Sequence, residues 1–301
     1  MNKILCIVGP TASGKTALAV RAAHALNGEV VSCDSVQIYK GFDIGSAKPP
    51  MEERQGVPHH MLDVAAPEEQ WSAGRYAEAA RACVGDILAR GKTPIVCGGT
   101  GLYLRALLGG LDGIPAAPRR VYGEGAYEFL CRVDPKTAGR LAPGDRKRVE
   151  RALDVWHATG KPLSSFLGAP KEPLCEPVTV GILSRRRREE IASRARAMMG
   201  IGLIEETAVL LLHGVPENCP PMNAIGYVQA RAVLRGAMTL EKALDEIILR
   251  TAQYAKRQMT WFRNQTSPHW LERPSYLDAD AEALEKFWES AVKTIEILWK
   301  I

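Results

Sequence analysis

The stretch "ILCIVGPTASGKT", residues 4–16, decides the fold. Its first five residues are all apolar, which suits a strand buried on both faces. The next eight meet the pattern G-x-x-x-x-G-K-[ST] at every fixed position: Gly9, Gly14, Lys15 and Thr16. Glycines let the backbone wrap so that successive N–H groups, carried by Gly9, Thr11, Ala12, Ser13 and Gly14 around the N–H-less Pro10, can point at an anion. A helix predicted over 14–26 adds the positive end of its dipole. Lys15 supplies a mobile charge, and the Thr16 hydroxyl can ligate Mg²⁺. The motif establishes a phosphate site. It leaves open whether the phosphate is that of ATP, as in a kinase or ATPase, or of another compound.

Working outward, a short apolar run at 30–33 ends at Asp34. Ser72 is a good N-cap for a helix in which Tyr76, Ala80, Val84 and Ile87 recur at helical spacing, and Gly91 closes it. Residues 93–97 form another strand, followed by Gly98-Gly99-Thr100-Gly101. Alternating strands and helices imply an α/β protein: a P-loop NTPase-like parallel sheet with helices on both faces. Ligands of such sheets bind beyond the carboxyl ends of the strands. The phosphate loop, Asp34 and Thr100 are therefore expected on one edge. A nucleotide-hydrolysing P-loop enzyme also needs an acidic Mg²⁺ partner at a strand end. The strand at 93–97 runs into glycine instead, so Asp34 is the carboxylate that fits a strand end.

The composition changes past residue 112. "DGIPAAPRR" (112–120) and "GAPKEPLCEP" (168–177) read as boundaries, and 124–167 as helices. The expected layout is a core of 1–114 and 176–301 with a helical insertion at 115–175. "VTVGIL" (178–183) returns to strand character. The rest of the core reads as helices over 188–212, 223–235, 240–263 and 280–299. Hydrophobic residues are 46% and charged residues 24%, and the net charge is +5, mild enough only to permit an anionic partner. Seven scattered cysteines show neither a disulfide framework nor a Cys-x-x-Cys zinc pattern. No apolar run approaches the roughly 18 residues of a membrane span, and no signal peptide is evident. A cytoplasmic monomer with no membrane association is the expectation.

Several segments together carry a more specific signal. "GPTASGKT", "VVSCDSVQIYKGFDIGSAKP" (30–49), "GVPHHMLDV" (56–64) and "GKTPIVCGGTGLYLRALLGGL" (91–111) resemble the tRNA dimethylallyltransferases, or tRNA isopentenyltransferases. The resemblance continues through "DRKRVERALDVWHATGKPLS" (145–164), "GLIEE" (202–206), "AIGYVQ" (224–229) and "YAKRQMTWFRNQ" (254–265). No zinc-finger extension like that of eukaryotic members is evident, so the bacterial type is implied. The resemblance implies transfer of a dimethylallyl group from its diphosphate to N6 of adenosine 37 in tRNA. Its partners would be dimethylallyl diphosphate and a tRNA anticodon stem-loop, its cofactor Mg²⁺. The loop would then cradle a leaving pyrophosphate, with Mg²⁺ on Thr16. Asp34 matches the general base. Ser35, Val36 and Gln37 would line the adenine pocket, and Thr100 matches a position that touches tRNA. Arg194 would reach the pyrophosphate. Tyr122, Lys147, Arg148, Val149, Glu150 and Arg151 match positions on the anticodon-arm face. Lys147 stands where glutamine is usual, and Tyr122 where an arginine often lies.

Read without the resemblance, Asp34 could equally be an N-cap or a Mg²⁺ ligand. Residues 132–151 hold seven Lys/Arg against three acids, a pattern commonest on solvated helix faces. His59-His60 looks like a metal pair, yet adjacent side chains point apart, which favours a structural role or tRNA contact. Arg185–Arg188 could meet tRNA backbone. Lys256, Arg257, Trp261 and Arg263 interleave basic and aromatic residues as RNA stacking surfaces do. The rival readings are a prenyltransferase of free adenine nucleotides, a small-molecule kinase and a non-catalytic RNA-binding module.

Overall fold

The computed structural model describes residues 2–109, 114–115, 117–167 and 174–301. Its elements in order are β1 (Lys3–Val8), α1 (Lys15–Ala25), β2 (Gly28–Cys33), α2 (Met51–Arg54), β3 (His59–His60), α3 (Ala73–Ala89), β4 (Thr93–Gly98) and α4 (Gly101–Gly109). Then come α5 (Ala126–Val133), α6 (Pro135–Ala138), α7 (Arg146–Thr159), β5 (Glu176–Ser184), α8 (Arg187–Ile201) and α9 (Leu203–Leu212). α10 (Tyr227–Leu234), α11 (Leu240–Gln265), β6 (His269–Arg273) and α12 (Ala281–Lys300) complete the chain.

The six strands form one sheet in the order β3-β2-β4-β1-β5-β6, and every pairing is parallel. β1 is central, registered as Ile7↔Cys97 against β4 and Ile7↔Val180 against β5. Ile4, Leu5, Cys6 and Ile7 are wholly buried, as a strand covered on both faces requires. The core beside it joins Leu18, Ala22 and Ala23 of α1 to Trp288, Ala291 and Ile295 of α12. Because the strands run the same way, their carboxyl ends share one edge. The phosphate loop leaves β1 there, Asp34 leaves β2, Gly99-Thr100 leaves β4, and Arg273 ends β6.

The chain divides into two compact units, Met1–Leu108 with Leu174–Ile301, and Gly109–Pro173. The proline- and glycine-rich boundaries expected at 112–120 and 168–177 fall in part outside the described residues. The second unit has its own small core of Leu130, Ala138, Val149, Ala152 and Leu153.

Two sequence expectations need correction. The helix expected over 188–212 is two helices, because Gly202 takes φ 120° between them. The C-terminal part is not purely helical: β6 adds an edge strand whose short sequence, HWLER, has one buried residue. At the opposite end of the sheet, His60 Nε2 lies 2.7 Å from Glu29 Oε2, and His59 Nδ1 lies 2.9 Å from the Val57 carbonyl. The buried Glu29 carboxylate also accepts from Arg90 and from Lys92 at 2.7 Å. The adjacent histidines thus serve different local partners.

Candidate active site

The phosphate loop is built as its glycines demand. Gly9 has φ 149°, and a Cβ there would stand 2.4 Å from the Ile182 carbonyl of β5. Ala12 at φ 62° and Gly14 at φ 94° complete the turn into α1. The Ser13 hydroxyl is buried and has no partner among the described residues. An orphaned buried donor inside such a loop suits a phosphate oxygen. Lys15 Nζ folds back to the Pro10 carbonyl at 2.7 Å. Burial pulls its pKa down to about 8, aided by the positive charge of Arg194 and opposed by Cys97 and Asp34. Arg194 of α8 donates to Thr11 Oγ1 at 3.4 Å, and burial lowers its pKa as well.

Asp34 closes a tight turn after β2. Its Oδ1 accepts from the N–H groups of Val36 at 2.8 Å and Gln37 at 3.3 Å. Its Oδ2 accepts no hydrogen bond among the described residues. The aspartate is thus oriented through one oxygen and open at the other. Thr100 binds this turn from β4: its Oγ1 accepts from the Ser35 N–H at 3.2 Å, and its own N–H donates to the Cys33 carbonyl at 3.1 Å. Gly98 permits the approach, since a Cβ there would lie 2.1 Å from the same Cys33 carbonyl. Gln37 uses its amide inside the loop, donating to the Ala47 carbonyl at 3.0 Å and accepting from Ser32 Oγ at 3.1 Å. Ser35 and Val36 stay partly exposed beside Asp34.

The loop that follows is held from a distance. Glu206 of α9 accepts from the N–H groups of Asp43, Ile44 and Gly45 at 2.7–3.2 Å and from the Tyr227 hydroxyl at 2.7 Å. Lys48, nearly buried, bridges Asp43 and Asp63 at 2.6 and 2.5 Å.

In the second unit, α7 presents Arg148, three-quarters exposed and paired with Asp145 at 2.6 Å, and the exposed Lys147. Glu150 pairs with Arg146 at 2.7 Å. Arg151 instead fastens its own chain, donating to the Pro115 carbonyl at 3.0 Å. Val149 is buried in the unit's core. Tyr122 donates to the buried Asp154 at 3.0 Å, and burial pushes its pKa up to about 12.

The comparisons bear directly on this arrangement. The IPP transferase family model matches residues 37–265. The chain belongs to the IPP transferase family. It is 42% identical over 287 residues to the tRNA dimethylallyltransferase 2 of Geotalea uraniireducens, covering 90% of this chain and 93% of that one. Among solved structures it resembles the full-length tRNA isopentenylpyrophosphate transferase of Bacillus halodurans at TM-score 0.74 and 34% identity, covering 100% of this chain and 98% of that one. It also resembles a eukaryotic dimethylallyltransferase acting on tRNA at TM-score 0.81 and 26% identity, covering 95% of this chain and 77% of that one.

The family segment "YAKRQMTWFRNQ" contains a residue to which the sequence assigns no role. Gln258 is buried on α11; its Oε1 accepts from the Thr11 N–H at 2.9 Å and its Nε2 donates to the Gly99 carbonyl at 3.0 Å. It ties the phosphate loop to the glycines after β4. On Tyr254, one turn earlier, burial raises the pKa to about 12. Lys256, Arg257, Trp261 and Asn264 line an open cleft on the same helix. Arg273 lies beyond the matched span, and the only signal for it in sequence is an arginine ending a short alternating run.

Proposed function

We propose that this enzyme transfers the dimethylallyl group of dimethylallyl diphosphate to N6 of adenosine 37 in tRNA, giving N6-isopentenyladenosine. The observation that carries the reading is the pairing, on one sheet edge, of an anion cradle with an aspartate held by one oxygen and open at the other. The family relatives, named for this reaction, support it.

The chemistry follows from the residues. The bond from the allylic carbon to the diphosphate oxygen breaks, and negative charge grows on pyrophosphate. The loop Gly9–Thr16, the α1 N-terminus, Lys15 and Arg194 stabilise that charge, as fixed donors do best in a partly dry site. Meanwhile N6 bonds to the allylic carbon and its proton passes to Asp34 Oδ2. A general base is worth roughly 10²–10⁴ in rate. Thr100 holds the Asp34 turn, and Ser35 and Val36 border the adenine pocket with the Gln37 backbone. The adenine must leave its stack to enter such a pocket.

Thr16 would hold Mg²⁺, the remaining ligands being diphosphate oxygens and water, the usual habit of this ion. No cluster of three or more His, Cys, Asp or Glu able to hold a metal occurs among the described residues. When bound, Mg²⁺ would offset charge on the leaving group. The anticodon arm would lie on the insertion, with Lys147 and Arg148 meeting phosphates. All seven cysteines are free and no helix among the described residues is long and apolar enough to cross a membrane. We take the enzyme to act as a cytoplasmic monomer.

The test uses purified protein, Mg²⁺ and radiolabelled dimethylallyl diphosphate, with an unmodified anticodon stem-loop or with AMP. Label in the RNA that disappears when adenosine 37 becomes guanosine is the expected result. Label in AMP alone would instead make this a prenyltransferase of free nucleotides.

A further inference from the structure

Arg273, the last residue of β6, is wholly buried. A buried guanidinium needs its hydrogen bonds met, and these are met in one knot. Nη2 meets Glu190 Oε2 at 2.7 Å, Nη1 meets the Pro274 carbonyl, and Cζ lies 3.4 Å from the centre of the Tyr276 ring. Glu190, also buried, accepts at its other oxygen from Ser275 Oγ at 3.1 Å and the Tyr276 N–H at 2.8 Å. The bond that leaves the knot runs from Arg273 Nε to the Ser13 carbonyl at 3.2 Å, in the phosphate loop.

Two consequences follow. A trans peptide sets its carbonyl and N–H in opposite directions. Holding the Ser13 carbonyl against Arg273 therefore turns the Gly14 N–H the other way. Glu190 also stands four residues before Arg194 on α8, on the same helix face. Fixing Glu190 thereby fixes the face that sends Arg194 to Thr11. A buried ion pair is in general no better for stability than well-packed apolar side chains. Its value here is geometric.

We propose that the Glu190–Arg273 pair is a positioning device for the donor's diphosphate. It sets the Ser13–Gly14 peptide with its N–H toward the anion and holds the α8 face that carries Arg194. This rests on the donor-site reading above. The pair itself is neutral, so it orients donors without adding to the loop's charge.

The test compares the wild type with the double variant Glu190→Met/Arg273→Met, which leaves no unpaired buried charge. Binding of inorganic pyrophosphate with Mg²⁺ is measured by calorimetry, and thermal melting reports the fold. The double variant is expected to melt cooperatively near the wild type. Its pyrophosphate affinity should fall about tenfold or more, in keeping with loss of a charge-assisted hydrogen bond. KM for dimethylallyl diphosphate should rise in parallel, while KM for the stem-loop stays put. A folded double variant with wild-type pyrophosphate affinity overturns the proposal. If the double variant does not fold, Arg273→Gln, which is too short to hold Glu190 and the Ser13 carbonyl at once, takes its place, and wild-type affinity in that folded variant overturns it equally. A wild type that binds neither pyrophosphate nor the prenyl donor would refute the donor-site reading itself, and this proposal with it.

Discussion

Lys15 gives the site a definite pH dependence. In the free protein burial holds its pKa down to about 8. A diphosphate beside it favours the charged ammonium, so binding raises that pKa. The donor therefore meets a charged Lys15 at pH 7 and must draw a proton from solvent at pH 9. With a free-state pKa of about 8, roughly one Lys15 in eleven is protonated at pH 9, against about ten in eleven at pH 7. The donor's Kd should thus weaken about tenfold between the two, or ~1.4 kcal/mol. Calorimetry with dimethylallyl diphosphate and Mg²⁺ measures this twice over. The Kd shifts, and the heat depends on buffer ionisation enthalpy, with an uptake of about 0.9 proton at pH 9 and about 0.1 at pH 7. Lys15→Arg should remove both effects, since arginine stays charged throughout. A wild-type Kd that is flat over this range, with no buffer dependence, would show that Lys15 does not carry the diphosphate's charge.

Replacing Asp34 by Ala should slow the chemical step by about 10² or more in single-turnover assays, with donor affinity retained; unchanged turnover removes Asp34 as the base. Glu29, ringed by Arg90, Lys92 and His60, is held well below the usual carboxylate range, chiefly by the Arg90 hydrogen bond. Its contribution to stability is complete above the ordinary glutamate range and fades as pH falls below it. Glu29→Gln should lower stability by about 1–3 kcal/mol near neutrality, less than for a fully buried pair because its partners are partly exposed. Denaturant midpoints of mutant and wild type should converge in acid, and a gap independent of pH would contradict the assignment. Arg148→Ala should weaken stem-loop binding and reduce the slope of log affinity against log salt by about 1. An unaltered slope would place Arg148 off the RNA.

The parts of the fold that follow local rules were legible in the sequence. β1, the loop and α1 announce themselves by an apolar run and fixed glycines. β4 and the glycines after it do so by the same logic, and Ser72 caps α3 as its position suggests, accepting from the Arg75 N–H at 3.1 Å. What escaped depends on partners distant in the chain. β6 is a strand only because it pairs with β5, and its exposed edge leaves no apolar run. The helix break at Gly202 was hidden inside a continuous helical pattern. Gln258 and Arg273 sit 247 and 260 residues from the loop atoms they hold. No spacing rule reaches that far. Val149 and Arg151 show the converse limit: both belong to a basic, surface-like run, yet one is core and the other secures its own backbone.

The chain leaves the core at Leu108 and re-enters it at Leu174, whose N–H donates to the Leu108 carbonyl at 3.3 Å. Entrance and exit are stitched together, so to the sheet the intervening unit is a detour already closed. Closure entropy grows only as the logarithm of loop length. Lengthening or trimming the detour thus costs the core little. Evolution is free to remodel that segment while the sheet edge that carries the phosphate loop stays as it is.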